Sequence, residues 1–173
     1  MDRNVRGKKW MLGVVYVQPD GKSARAQNEQ LMKNITFEGH KWTEQGYGTV
    51  ILGDFNGHIT ITNKNKVVGT NFNGKVFENL VEECNMEIMN LHAKCEGTWT
   101  WMRGESKSRI DYVLMNGKMA QKFVKMTIDE KGKQWEAGSD HSLIEVCMHE
   151  EKATTKKERE KEWSLTEGTN WPL

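Results

Sequence analysis

The chain has 173 residues, with 25 basic against 24 acidic side chains and a net charge of +1. That length suits one domain able to bury a sizeable core, and the near-neutral charge argues mildly against a globally basic nucleic-acid binder. No run of ~18 apolar residues is present, which excludes a spanning helix and membrane partnership of that kind, and no signal-like apolar segment precedes residue 10.

Taken in chain order, "WMLGVVYV" (10–17) reads as a β-branched strand ended by the turn residues Gln18, Pro19, Asp20 and Gly21. Ser23 is placed to cap a helix running to about Phe37, with Leu31 and Ile35 on one face. The apolar run Val50, Ile51, Leu52 predicts a strand over 49–53 buried on both faces and closed by a turn at Gly53 to Gly57. Residues 60–73 read as a polar surface loop, and Val76, Phe77, Leu80, Val81 and Cys84 as one face of a helix beginning near Gly74. "MEIMNLH" is a short strand, "TWTWM" (98–102) another, and "RIDYVLM" (109–115) a third, followed by a short helix over 117–124. "SLIEVCM" (142–148) is the last strand. The Lys/Glu-rich stretch from 151 lacks apolar period, so 1–150 is read as the domain and 151–173 as a charged linker or tail. Strands outnumber helices and several are separated by them, giving an α/β (α+β) class with mixed sheets.

Cys84, Cys95 and Cys147 are odd in number and isolated. They form no CxxC pair, so neither a zinc ribbon nor a redox motif is expected, and free thiols fit a reducing compartment, nuclear or cytoplasmic.

Three places hold residues that a plain fold does not need. In "GDFNG", strand alternation sets Asp54 and Asn56 side by side at a strand end; the competing reading is an Asp–Asn turn bonding its own backbone. Asp111 stands inside an apolar strand and needs a partner there; Arg109, two residues earlier, is the simple structural one. Asp140 and His141 adjoin the last strand, and histidine is the side chain best suited to move protons near neutral pH; a loop aspartate beside a packed histidine is the alternative. His40, His58, His92 and His149 lack such context and read as surface or packing residues.

In this order, "GDFN", "TWTW", "SRIDY" and "SDH" resemble the second half of the endonuclease/exonuclease/phosphatase superfamily. "GVVYV" and "CEGTWTW…SRIDYVL…GSDH" are similar in wording and spacing to the endonuclease domains of non-LTR retrotransposons and to craniofacial development protein 2-like sequences. The resemblance covers roughly residues 10 to 149. It implies a deoxyribonuclease-like two-sheet β-sandwich flanked by helices, cleaving a phosphodiester by in-line attack of water with Mg2+, or Mn2+ as the alternative, on a nucleic acid, DNA first. By that resemblance Asp54 handles a proton and serves on the metal side, Asn56 orients the nucleophile, and Asp140 is a metal-side carboxylate. His141 contacts the scissile phosphate, held by Asp111, and Tyr16 contacts the phosphate. Thr98, Trp99, Ser108 and Arg109 line the nucleic-acid side.

The same resemblance implies a first half, on the order of 80 to 100 residues, ahead of residue 10. That half carries an asparagine and the glutamate that is the main metal ligand. The expectation is therefore a chain lacking its N-terminal half, its site completed by that half or by another chain. A catalytically impaired remnant, or an interaction module keeping the fold, is the alternative.

Overall fold

The β-branched residues at the start of the domain form a strand, as the sequence predicts. The computed structural model describes residues 10–62, 67–132 and 138–149. Trp10–Tyr16 forms β1, which runs parallel to β2 (Gly48–Asp54) with Trp10 opposite Gly48 and Tyr16 opposite Asp54. Between them lies the crossover helix α1 (Arg25–Glu44), as a parallel pair requires. The antiparallel strand β9 (Asp111–Asn116) flanks β2, and β5 (Met86–Ile88) pairs in turn with β9, giving the order β1-β2-β9-β5.

One face of this sheet packs on α1 and on α2 (Phe72–Glu83) through Val15, Ile51, Tyr112, Leu114, Met32, Phe77 and Leu80. The other face supplies Val50, Val113 and Met115 to a second core with Phe123, Met126 and Ile128. Those last three belong to β10 (Phe123–Ile128), the centre of a second sheet ordered β11-β10-β6, where β6 is Cys95–Glu96 and β11 is Ile144–Met148. Two sheets stacked face to face with helices outside make the α/β sandwich that the family resemblance implies.

Several elements differ from their sequence reading. Ser23 does not cap α1: Ala24 is the N-cap and no side chain bonds there. The helix also runs past Phe37 to Glu44, because Thr36 and Gly39 continue its buried face; Cys84 lies so close to Gly39 that an added Cβ would meet its Sγ at 3.0 Å. It stops at Gly46, whose φ of +74° lets Gly46 N donate to Thr43 O and Tyr47 N to Trp42 O in a Schellman closure. The polar stretch 60–73 is not one loop: Ile59–Ile61 (β3) and Val67–Gly69 (β4) form a hairpin, and Asn71 caps α2 by accepting from Gly74 N. "TWTWM" is strand only in its last two residues, since β7 is Trp101–Arg103, paired with β8 (Ser106–Ser108). The helix after β9 is a single turn, α3 (Gly117–Ala120), and most of the remainder of 117–124 leads into β10. Strands β6 and β10 carry no clean alternation and were not expected. The cysteines described are free, and the tail from 151 lies outside the described residues.

β5 and β6 are joined by a short 3-10 turn (Met89–Leu91), so they mark one side of the sandwich. The opposite side is bounded by β1 and β11, each the outer strand of its sheet among the described residues. There Trp10, Leu12, Val14 and Tyr16 project from alternate positions of β1 and stay exposed, Val14 by 75%.

Candidate active site

The site grows from the end of β2. Gly53 has a φ of +144°, and a Cβ on it would stand 1.9 Å from Val15 O, so only glycine lets β1 and β2 stay paired there. That kink turns the chain into Asp54, Phe55 and Asn56. Phe55 goes inward, fully buried against Phe77 and Tyr112 with ring centroids 4.9 and 6.1 Å away. Tyr112 pins the turn from below by donating its hydroxyl towards Gly57 O (3.0 Å) and Arg109 O (2.7 Å).

Asn56 sits at φ +45°, where asparagine is tolerated better than most residues. Its backbone N–H donates to Asp54 Oδ1 at 2.8 Å, while its Nδ2 donates to Asp54 Oδ2 (2.9 Å) and Val17 O (2.8 Å). Both readings of "GDFN" therefore hold at once: the turn bonds its own backbone, and the carboxylate and amide face the same way. Behind them, buried Asn73 donates to Gln18 O and Asn56 O, and buried Asn28 donates to Gln18 O and Asn73 Oδ1.

Across the ladder, Asp54 is the register partner of Asp111 on β9, and on its other side of Tyr16 on β1. A row Tyr16–Asp54–Asp111 thus crosses three strands. Two carboxylates directly opposite repel, and His141 relieves this. Its Nδ1 lies 3.0 and 3.1 Å from the two Asp111 oxygens, and donor atoms of Asp54, Asp111 and His141 all fall within 4.8 Å of one another. Burial pushes the Asp54 carboxyl above its ordinary value of 3.8; the Asn56 N–H opposes this, Asp111 adds to it and His141 subtracts.

Arg109 is not the partner of Asp111. Its Nε donates to Thr98 O at 2.9 Å. Asp140 stands apart from the three-residue group, exposed, with Oδ2 accepting from Trp101 Nε1 at 2.9 Å. Thr98 and Trp99 give their backbone N–H groups to the Glu130 carboxylate, which these bonds, Trp99's first, hold below the usual glutamate range. Trp99 remains 38% exposed, and Ser108 O takes the Thr100 N–H at 3.0 Å. A cavity of about 270 Å³ opens beside His141, walled by Met102, Glu130, Ser139 and Leu143.

Sequence reasoning missed Glu130, Tyr112 and Thr100. Glu130 carries no local signal at all. Tyr112 reads as one more apolar strand residue. Thr100 could have been found from "TWTW", whose alternation puts it on the same side as Thr98.

The stacked sheets, their strand order and the flanking helices define the DNase-like fold of the endonuclease/exonuclease/phosphatase superfamily. The sequence model of the endonuclease-reverse transcriptase family matches residues 10–145, and the chain belongs to that family. No curated protein matches it. Among solved structures it is similar to the 3'-5' exonuclease NExo of Neisseria meningitidis, at 22% identity and a TM-score of 0.60, over 80% of this chain and 61% of that one. The endonuclease domain of TRAS1, a telomere-specific non-LTR retrotransposon, gives 18% and 0.58 over 85% and 62%. The AP endonuclease LMAP of Leishmania major gives 14% and 0.58 over 81% and 50%. The chain thus spans about three fifths of the length of the first of these relatives.

Proposed function

We propose that this chain carries most of the active site of a divalent-metal-dependent phosphodiesterase that cuts nucleic acid, DNA in the first place. The supporting observation is the convergence of Asp54, Asp111 and His141 within 4.8 Å at one end of the sheet, from positions 54 to 141 of the chain.

The donor set fits a hard cation. Mg2+ binds through one or two carboxylates plus substrate phosphate and water, and Asp54 and Asp111 supply two carboxylates in one row. When bound, such an ion neutralises and polarises the phosphoryl oxygen. The chain's own groups do the rest. Asp54, set beside Asn56 at the end of β2, takes a proton from the attacking water. Asn56, locked by its own Nδ2 bonds, leaves its Oδ1 to orient that water. An ionised Asp111 can only accept, so His141 Nδ1 carries the hydrogen between them and Nε2 faces the scissile phosphate. Tyr16 extends the row toward that phosphate. Asp140, bonded to Trp101, acts at the metal's periphery by positioning the Trp99–Trp101 segment. Thr98, Trp99, Ser108 and Arg109 form the nucleic-acid side, with the Trp99 ring as a stacking platform.

The group of three contains no glutamate, and the exposed face of β1 has no cover among the described residues. Both favour a site and a sandwich completed by an N-terminal half or by another chain. A retrotransposon origin is supported by the family match. The test is nicking of supercoiled plasmid in millimolar magnesium. The 173-residue chain alone is expected to give no more than residual nicking. With a glutamate-bearing N-terminal half prepended it is expected to nick, and His141→Ala to abolish that. An inactive extended protein would favour the interaction module instead.

A further inference from the structure

Thr100, bonded to the backbone of Asp111 and of Ser142, has no solvent exposure. Its Oγ1 accepts the backbone N–H groups of both Ile110 and Asp111, each at 3.0 Å. Its carbonyl accepts the N–H of Ser142 at 2.8 Å, and its neighbour Trp101 forms an isolated antiparallel bridge with His141. One buried residue therefore grips the chain at Asp111 with its side chain and the chain next to His141 with its backbone.

We propose that Thr100 is the positioning residue of the Asp111–His141 pair, setting the separation and angle at which the carboxylate meets Nδ1. This rests on the role assigned to that pair above. Amides at a strand start are usually satisfied by a neighbouring strand or by water. Here a single hydroxyl takes both, so the start of β9 is tied to the segment that also holds His141. The far side of Asp111 is fixed as well: Asn90, 5% exposed, donates Nδ2 to Asp111 O at 3.0 Å and accepts Val113 N at 2.9 Å. With its carbonyl clamped by Asn90 and its N–H by Thr100, Asp111 has little freedom beyond its own side-chain torsions. Removing the hydroxyl frees one end of that clamp and leaves the other.

The readout is the tautomer of His141, seen from imidazole 15N shifts in the full chain, in EDTA, at about pH 9, where an ordinary imidazole is neutral. The His141 signals are those lost in His141→Gln. Wild type should show predominantly the Nδ1–H form. Thr100→Val, isosteric but without an acceptor, should move the population toward Nε2–H by several-fold, and Thr100→Ser should restore the wild-type ratio. If Thr100→Val does not fold, Thr100→Cys carries the same test, since sulfur is a weak acceptor. A folded Val or Cys variant with the wild-type tautomer ratio overturns the proposal, as does failure of Ser to restore it. The readout is independent of turnover: this pattern in the chain, together with an extended protein that fails to nick, would sink the nuclease reading and leave the positioning role standing.

Discussion

Replacing Gly53 by alanine tests a backbone position on which both the sheet and the site depend. The Cβ would stand 1.9 Å from Val15 O and 2.9 Å from Val15 N, all of it backbone, so no side chain can swing aside. Reaching even a tight 3.0 Å contact with the oxygen requires β1 and β2 to separate by about an ångström, which breaks ladder bonds where Val15 pairs with Gly53 and where Val17 N donates to Asp54 O at 2.8 Å. A non-glycine residue in a disfavoured backbone region costs ~1–3 kcal/mol, and two lost backbone hydrogen bonds about 1 kcal/mol each. The expected loss is therefore roughly 3–5 kcal/mol, out of a total stability on the order of 5–15 kcal/mol. With a urea m-value of about 2 kcal/mol/M, the unfolding midpoint followed by tryptophan fluorescence should fall by roughly 1.5–2.5 M. Gly104→Ala is the control: its φ is +61° and nothing lies within 4 Å of its Cβ. It carries only the left-handed penalty of ~1–2 kcal/mol. If the two variants lose the same stability, the clash with Val15 is not what makes Gly53 necessary.

Phe77→Ala empties the middle of the ring cluster with Phe55 and Tyr112, and should cost ~3–5 kcal/mol by denaturant unfolding. Asp54 has a raised carboxyl, so folding favours its neutral form; stability is lost as pH rises from the ordinary 3.8 through the folded value, chiefly because burial opposes the charge. Asp54→Asn should flatten that part of the stability–pH curve, measured by urea midpoints in EDTA, and a curve of unchanged slope would contradict the raised value. Glu130 shows the opposite sign: its lowered carboxyl contributes stability above the unfolded glutamate value, lost as pH falls through the folded one. Glu130→Gln should remove that acid dependence and loosen the Thr98–Trp99 backbone, seen as faster amide exchange at those two residues.

The parts of the fold that were readable in the sequence are those with strong local period. β1, β2, β11 and the apolar face of α2 follow from runs and spacings that survive tertiary packing. The end of α1 was missed because a polar-looking C-terminal half is buried by small residues, Thr36 and Gly39, which hydropathy does not flag. β10 was missed because Phe123, Met126 and Ile128 face the second core at positions that do not alternate, the register being shifted between Phe123 and Lys125. The site divides along the same line. Asp54, Asn56, Asp111 and His141 stand out as polar residues at the ends of apolar strands. Thr100, Asn90 and Glu130 act through backbone groups of distant residues, and no local pattern announces that.

On the proposed reading, completion of the fold and completion of the site are linked. Tyr16 ends β1 with 64% of its surface exposed, on the same face as Trp10, Leu12 and Val14, and is also the register neighbour of Asp54. Whatever covers that apolar face at Tyr16 would lie next to the carboxylate row. A covering strand would bury apolar area worth about 25 cal/mol per Å², and on the proposed reading its end would lie near the cation that Asp54 and Asp111 would hold. On the proposed reading, sheet closure and metal affinity should then be gained together. The 173-residue chain should bind Mg2+ weakly, and an added segment that raises its unfolding temperature should tighten that binding in step.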